Sequence, residues 1–289
     1  MMAFLYVFSS VLIFLTGLCI GSFMNVVIYR LPLMISGEGG CSLSWPPSHC
    51  PVCHSRIRWY DNIPVFSWLF LRGRCRDCHT RVSPVYLLTE AVTGLWFVAV
   101  WLFTVGVSPA PLPVMMLTTV AHLLPPLVLF CFLYCITFID IRHYLIPDGL
   151  SLGLLWSGLV FSVCGLIPVT PFYAVTGVVL AWGGLLAVQT SYRFIRGHDG
   201  LGGGDVKLFA AAGAWLGLMQ VPWLIVASAL CGGVLYAIRW CYLRRQPDDR
   251  PVSAGLQAIQ QETGLCRVYI PFGPAIVMAT LGLFFVPVL

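Results

Sequence analysis

Charged residues are scarce in this 289-residue chain, since Asp, Glu, Lys and Arg make up only 9% of it, whereas soluble domains carry about 25%. Hydrophobic residues make up 59%, and the mean hydropathy is +0.89. A soluble core does not account for this balance, because most of the surface must face something other than water. The composition also excludes disordered, collagen-like and nucleic-acid-binding proteins. It favours a protein that lies in lipid.

Uncharged runs of about 20 residues, the length that crosses a bilayer as a helix, recur along the chain. The sixth run is short and ends at a break at residues 220–222. The predicted spans are residues 4–28, 85–106, 114–139, 150–167, 171–189, 205–219, 222–238 and 270–288. The sequence thus predicts an all-α polytopic membrane protein with about eight transmembrane helices.

The basic residues all lie on one side of these predicted spans. Arginines fill the first connection, and every other Lys and Arg lies in or beside the third, fifth or seventh connection. Because short basic loops stay in the cytoplasm, we expect these connections inside and both termini outside, in the periplasm. The first span has no basic residue before it and Arg30 after it, so we expect it to be retained rather than cleaved as a signal peptide.

The long first connection divides the chain into three predicted regions. They are a first transmembrane helix at residues 1–29, a cytoplasmic insert at 30–84, and a seven-helix membrane domain at 85–289. The insert holds two cysteine pairs, Cys50-Pro-Val-Cys53 and Cys75-Arg-Asp-Cys78. Disulfides are not expected in a reducing compartment. Two such turns can instead close a tetrahedron around zinc, with Zn–S distances of about 2.3 Å.

Four thiolates leave no open coordination position, so the predicted zinc is structural, and it supplies folding energy to a segment with little apolar core. The alternatives are free thiols, or disulfides if the topology is inverted. His49, His54 and His79 flank the pairs and are alternative ligands.

Two carboxylates are predicted at the cytoplasmic boundary of the membrane. Asp140 directly follows the apolar run of the third span, and Asp205 follows three glycines at the start of the sixth. Charges at such positions are costly unless they are shared or paired. Brought together, the two groups share one proton and provide an acid and a base, which is aspartic-protease chemistry. Alternatively, Asp205 caps a helix and Asp140 pairs with Arg142.

Three other charged residues have roles that the sequence leaves open. Asp148 lies in a Pro-Asp-Gly turn, where it is expected to cap the next helix. Lys207, the only lysine, is either a counter-charge for Asp205 or an anchor at the membrane surface. Glu90 near the start of the second span is expensive to bury, and the sequence names no partner for it.

Several motifs stand in order along the chain. They are Gly21-Ser22-Phe23-Met24-Asn25-Val26-Val27-Ile28-Tyr29-Arg30-Leu31-Pro32, the cysteine pairs enclosing Asp61-Asn62-Ile63-Pro64 and Leu71-Arg72-Gly73, Phe138-Ile139-Asp140, and Gly202-Gly203-Gly204-Asp205-Val206-Lys207-Leu208. Together they resemble the bacterial type IV prepilin peptidases. The resemblance extends to residues 269–274 and so covers nearly the whole chain.

This resemblance implies a bifunctional inner-membrane enzyme of the GxGD aspartic protease class. Such enzymes remove the short basic leader of prepilins and pseudopilins and N-methylate the new terminus with S-adenosylmethionine, in the service of type IV pili or type II secretion. The resemblance places the catalytic aspartates on Asp140 and Asp205. It places the zinc ligands on Cys50, Cys53, Cys75 and Cys78. No strand, glycine-rich turn and helix unit for S-adenosylmethionine is apparent in the sequence, and the oligomeric state is left open.

Two functions from other classes remain as alternatives. Clustered thiols beside a polytopic domain also suit a zinc-handling transporter, although no carboxylates or histidine pairs lie at mid-membrane depth to hold an ion. The Cys-x-x-Cys pairs also suit a membrane thiol oxidoreductase, which requires the insert to lie outside the cytoplasm.

Overall fold

The protein is a nearly all-helical chain. A computed structural model describes residues 2–37, 40, 42–107, 112–197, 202–244 and 271–286. Its helices are α1 (Met2–Ile35), α2 (Phe66–Phe70), α3 (Pro84–Val107), α4 (Leu112–His143), α5 (Asp148–Val163), α6 (Pro171–Arg196), α7 (Gly203–Leu216), α8 (Val221–Arg244) and α9 (Gly273–Phe284). Every helix except α2 corresponds to a predicted span. Residues 270, 287 and 288 of the eighth predicted span lie outside the described residues.

Five helices in the described part of the chain are long and apolar enough to cross a membrane: Phe4–Ile35, Pro84–Val105, Ala121–His143, Pro171–Arg196 and Leu218–Cys241. Two further apolar helices are shorter, α5 with 16 residues and α9 with 12. The prediction of an all-α polytopic membrane protein is confirmed. Two compact units make up the chain, Met1–Cys131 and Phe132–Leu289, and the division between them falls inside α4.

In the first unit, small residues let α1 and α3 pack closely. A Cβ added at Gly17 would lie 2.8 Å from the Cα of Gly94, and one added at Gly21 would lie 2.8 Å from the Cα of Glu90. Gly17 and Gly21 are one helical turn apart, which is the spacing typical of close helix pairs in membranes. The insert between these helices is tied to α1 by Arg30, whose guanidinium donates to the backbone carbonyls of Ser42 and Pro46 at 3.0 and 2.7 Å.

In the second unit, α7 is the central helix. Ten of its residues, Val206 and Leu208–Leu216, are buried, because α5, α6 and α9 all pack against it. The contact with α6 depends on Gly177 and Gly213, since a Cβ at either would approach the carbonyl oxygen of the other to 2.6–2.7 Å. The contact with α5 includes a hydrogen bond from the Trp215 indole N–H to the Leu154 carbonyl oxygen at 2.8 Å.

Glycines determine where the central helices end. α6 ends at Arg196, directly before Gly197 (φ 75°), and has Arg193 and Arg196 in its last turn. α7 ends at Leu216, directly before Gly217, which also has φ 75°. A left-handed backbone at a helix end costs glycine least, and basic residues stabilise the negative end of a helix dipole. α7 begins within the glycine-rich segment, at Gly203, so its first turn carries Asp205.

Candidate active site and metal centre

Asp140 lies in the last turn of α4, with three more helical residues after it. The residue is only 5% exposed, and its Oδ2 accepts the backbone N–H of Gly273 at 2.9 Å. Gly273 is the first residue of α9. The N-terminus of a helix carries unpaired N–H groups and a partial positive charge, both of which stabilise a carboxylate. Among the described residues Asp140 forms no ion pair with Arg142, so that alternative is wrong.

Asp205 is the third residue of α7 and is partly buried. The residue at the N-cap position is Gly202, so Asp205 does not hold the capping position that was its alternative role. α7 packs against α9, whose first N–H binds Asp140. The two groups that the sequence singled out therefore lie at adjoining helix ends.

A pair of aromatic rings supports this arrangement. Phe209 lies one turn after Asp205 and therefore on the same face of α7. Its ring centroid is 6.3 Å from that of Phe272, the residue directly before Gly273. The first turn of α7 is thus held against the segment whose N–H binds Asp140. Three elements, the end of α4 and the starts of α7 and α9, build one site.

The role of Gly273 was not predicted from the sequence. A Cβ added there would lie 2.5 Å from Oδ2 of Asp140, so no side chain fits between the helix start and the carboxylate. The Phe-Gly-Pro order of residues 272–274 is the only signal, since glycine allows close approach and proline favours the first turn of a helix. Neither feature indicates which side chain makes the approach.

Lys207 pairs with Asp148 in the structure. Its Nζ lies 2.7 Å from Oδ1 of Asp148, and both side chains are exposed. The pair joins the first turns of α5 and α7. Exposed pairs of this kind contribute only about 0–1 kcal/mol, so this one adds little to stability.

The two cysteine pairs form turns with the same construction. In each turn the first cysteine donates its N–H to the carbonyl of the residue five positions later, and accepts one from the residue four positions later. That fourth residue is His54 in one turn and His79 in the other, with φ of 56° and 57°. An antiparallel bridge closes each turn, His49 with Arg56 and Arg74 with Arg81.

All four sulfur atoms, those of Cys50, Cys53, Cys75 and Cys78, lie within 4.8 Å of one another. Two of the separations are 3.7 Å (Cys50 to Cys78) and 4.0 Å (Cys53 to Cys75). A zinc ion with Zn–S bonds of about 2.3 Å needs edges of about 3.8 Å between its ligands. The cluster therefore fits a tetrahedral zinc site, and the flanking histidines are not part of it.

Hydroxyl groups favour the thiolate forms that a metal requires. The Sγ of Cys53 lies 2.9 Å from the hydroxyl of Ser55, and that of Cys78 lies 3.3 Å from the hydroxyl of Thr80. These hydrogen bonds lower the pKa of Cys53 and lower that of Cys78 to about 6. Thiolates, not thiols, bind metals.

Fold and sites together define a class: a polytopic helical membrane protein with a four-cysteine insert and two carboxylates at adjoining helix ends. Comparison with known proteins identifies the family. The profile of the bacterial peptidase A24 N-terminal domain matches residues 15–104, and that of the type IV leader peptidase family matches residues 127–237. The chain belongs to the type IV leader peptidase family.

Several curated relatives carry the name prepilin leader peptidase/N-methyltransferase. One from Pectobacterium carotovorum subsp. carotovorum is 41% identical over 254 residues, which is 83% of this chain and 86% of the relative. One from Klebsiella pneumoniae is 41% identical over 75% of this chain and 89% of the relative. One from Neisseria gonorrhoeae is 37% identical over 75% of this chain and 77% of the relative. No solved structure matches the chain. The family does not favour the transporter or oxidoreductase alternatives.

Proposed function

We propose that this protein is a prepilin leader peptidase and N-methyltransferase. It cleaves the leader of prepilins or pseudopilins at the cytoplasmic face of the inner membrane, and then methylates the new N-terminal residue. The placement of Asp140 and Asp205 at adjoining helix ends carries the peptidase assignment, and the names of the relatives support both activities. Both carboxylates lie within the region predicted as the membrane protease domain, residues 85–289.

We assign the base to Asp140 and the acid to Asp205. The N–H of Gly273 and the positive end of α9 favour the ionised carboxylate at Asp140. With one proton shared by the pair, Asp140 takes a proton from a water molecule while Asp205 donates a hydrogen bond to the scissile carbonyl. The water oxygen then attacks the carbonyl carbon directly, without a covalent intermediate.

The four-cysteine cluster is proposed to hold a structural zinc ion in the insert. Zinc would close the two turns onto each other and supply folding energy to a segment with few buried apolar side chains. The methyl donor is proposed to be S-adenosylmethionine, on the basis of the relatives' name alone. The proposed topology follows the distribution of arginine: insert in the cytoplasm and both termini in the periplasm.

Replacing either aspartate by asparagine tests the assignment of the dyad. Asp140→Asn and Asp205→Asn, purified and reconstituted in bilayers, are incubated with a prepilin and with S-adenosylmethionine labelled in the methyl group. Mass spectrometry reads leader removal and methylation of the product separately. We expect both variants to lose cleavage by at least about 10³-fold, because each lacks one half of the acid–base pair.

Asp148→Asn is the matched control, since it changes an exposed acid close to Lys207. It should cleave at the normal rate. A pilin supplied already cleaved should still be methylated by both dyad variants, which shows that they are folded. Normal cleavage by both single variants would refute the peptidase assignment. If the unmodified protein transferred no label to a cleaved pilin, the methyltransferase assignment would be refuted.

A further inference from the structure

The short helix α2 in the insert has an exposed apolar face that neither the zinc cluster nor the dyad uses. Phe66, Leu69 and Phe70 are 57%, 56% and 80% exposed. Their spacing of three and four residues places them on one side of the helix. Contiguous exposed apolar side chains can mark a protein or membrane interaction site, whereas single exposed ones are ordinary.

A partly buried hydrogen bond sets the depth of α2 relative to the membrane. Val65, the residue directly before α2, donates its N–H to Oε2 of Glu90 at 2.7 Å. Glu90 is only 8% exposed and is the seventh residue of α3. At 1.5 Å per residue it lies about 9 Å along the helix from Pro84. This contact supplies the partner for Glu90 that the sequence did not name.

The span to which Glu90 belongs is one of those apolar enough to cross a membrane, Pro84–Val105. Its 22 residues measure about 33 Å, close to the hydrocarbon thickness of about 30 Å, so Pro84 falls near the headgroups. The hydrogen bond from Val65 therefore holds α2 beside the first two turns of a membrane helix. This is the depth at which amphipathic helices lie in the interface, about 5–10 Å into the headgroup and acyl boundary.

Arginines without acidic partners follow α2 in the chain. Arg72, Arg74 and Arg81 are all exposed, and an antiparallel bridge places Arg74 beside Arg81. Within the described residues none of the three forms an ion pair, whereas Arg76 is paired with Asp61. Clusters of basic residues at a membrane surface attract anionic lipid headgroups.

We propose that α2 and these three arginines form a membrane-docking surface that binds anionic phospholipid headgroups of the bilayer in which the protein is embedded. Phe66, Leu69 and Phe70 enter the boundary between headgroups and acyl chains, and Arg72, Arg74 and Arg81 contact the phosphates. The docking surface fixes the insert against the membrane, in addition to its chain connections to α1 and α3 and the hydrogen bond from Val65 to Glu90. Bound anionic lipid also offsets the positive charge of the insert, which would otherwise repel a basic leader.

Hydrogen exchange of the full-length protein in lipid nanodiscs tests this proposal. The amides of residues 66–72 are followed in discs of phosphatidylcholine alone and in discs containing phosphatidylglycerol at one part in four. We expect exchange to be up to about a hundredfold slower with the anionic lipid, because each of the three arginines near an anionic surface contributes about a factor of five. Equal exchange in the two bilayers, whether fast or slow, would overturn the proposal.

Two sets of variants separate the contributions of charge and apolar contact. Arg72→Gln with Arg74→Gln should reduce the difference between the two bilayers to the roughly fivefold share of Arg81. Leu69→Ser with Phe70→Ser should speed exchange in the anionic disc. All four side chains are exposed, so the substitutions leave the core intact. If the arginine variant kept the full lipid dependence, the assignment of the headgroup contacts would be wrong.

Matched controls remove equal charge, or an exposed aromatic side chain, elsewhere. Arg196→Gln with Arg239→Gln changes two arginines of the second unit. Phe194→Ser removes an aromatic side chain of α6 that is 93% exposed. Neither control should alter exchange at residues 66–72. An effect of the controls as large as that of the test variants would show that the response is not local to α2, and would overturn the proposal.

Discussion

Replacing Gly273 by alanine should disable the proposed peptidase without unfolding the protein. The new Cβ would lie 2.5 Å from Oδ2 of Asp140 and 3.1 Å from its Cγ, where ordinary contacts begin at 3.4 Å. The carboxylate must therefore move by roughly 1 Å, and a displacement of that size in a catalytic group costs about 10²-fold in rate. We expect kcat for leader cleavage to fall about 100-fold, which corresponds to about 2.7 kcal/mol.

Loss of stability does not provide a competing explanation for such a result. Alanine is a better helix former than glycine by up to about 1 kcal/mol. Gly282→Ala is the control, because it lies on the same helix, α9, and an added Cβ would meet nothing within 4 Å. The assay is steady-state cleavage of a prepilin by each variant in the same bilayer. If Gly273→Ala cleaves as fast as Gly282→Ala, the contact between α9 and Asp140 is not part of the working site.

The zinc centre and the helix packing give two further predictions. Cys75→Ser should lower the zinc content of the purified protein, because it removes one of the four ligands. Atomic emission measures the zinc, and the control Cys241→Ser should keep the full zinc content. An unchanged zinc content in Cys75→Ser would contradict the ligand set. Gly213→Ala should lower the thermal unfolding temperature, since its Cβ would approach the Gly177 carbonyl oxygen to 2.7 Å, whereas Gly233→Ala, with nothing within 4 Å, should not. If the two variants unfolded at the same temperature, the close contact between α6 and α7 would not contribute to stability, and the prediction would be wrong.

Much of the fold could be predicted because hydrophobic length is a local property. Every apolar run of the required length became a helix, and the asymmetry of arginine is visible without coordinates. The ends were less accurate: α4 continues to His143, four residues beyond the predicted end, because hydropathy marks where charge begins and not where the helix stops. Asp140 accordingly lies inside the helix, not directly after it.

The two proposed catalytic aspartates and the cysteine cluster could also be predicted from the sequence. An acidic residue beside an apolar run and the spacing of cysteine ligands are both visible in the order of the residues. Their partners could not. Glu90 accepts a hydrogen bond from Val65, 25 positions away, and Asp140 accepts one from Gly273, 133 positions away. Both donors are backbone N–H groups, which every residue except proline has, so only the folded arrangement selects them.

The measurement that tests the central claim most directly is a double-mutant cycle on leader cleavage with Asp140→Asn, Asp205→Asn and the double variant. Two groups that share one proton act as a unit, so removing the second after the first should cost little more. The account predicts that the residual activity of the double variant equals that of either single variant within about threefold. Losses that multiply in the double variant would show two independent groups and would contradict the account.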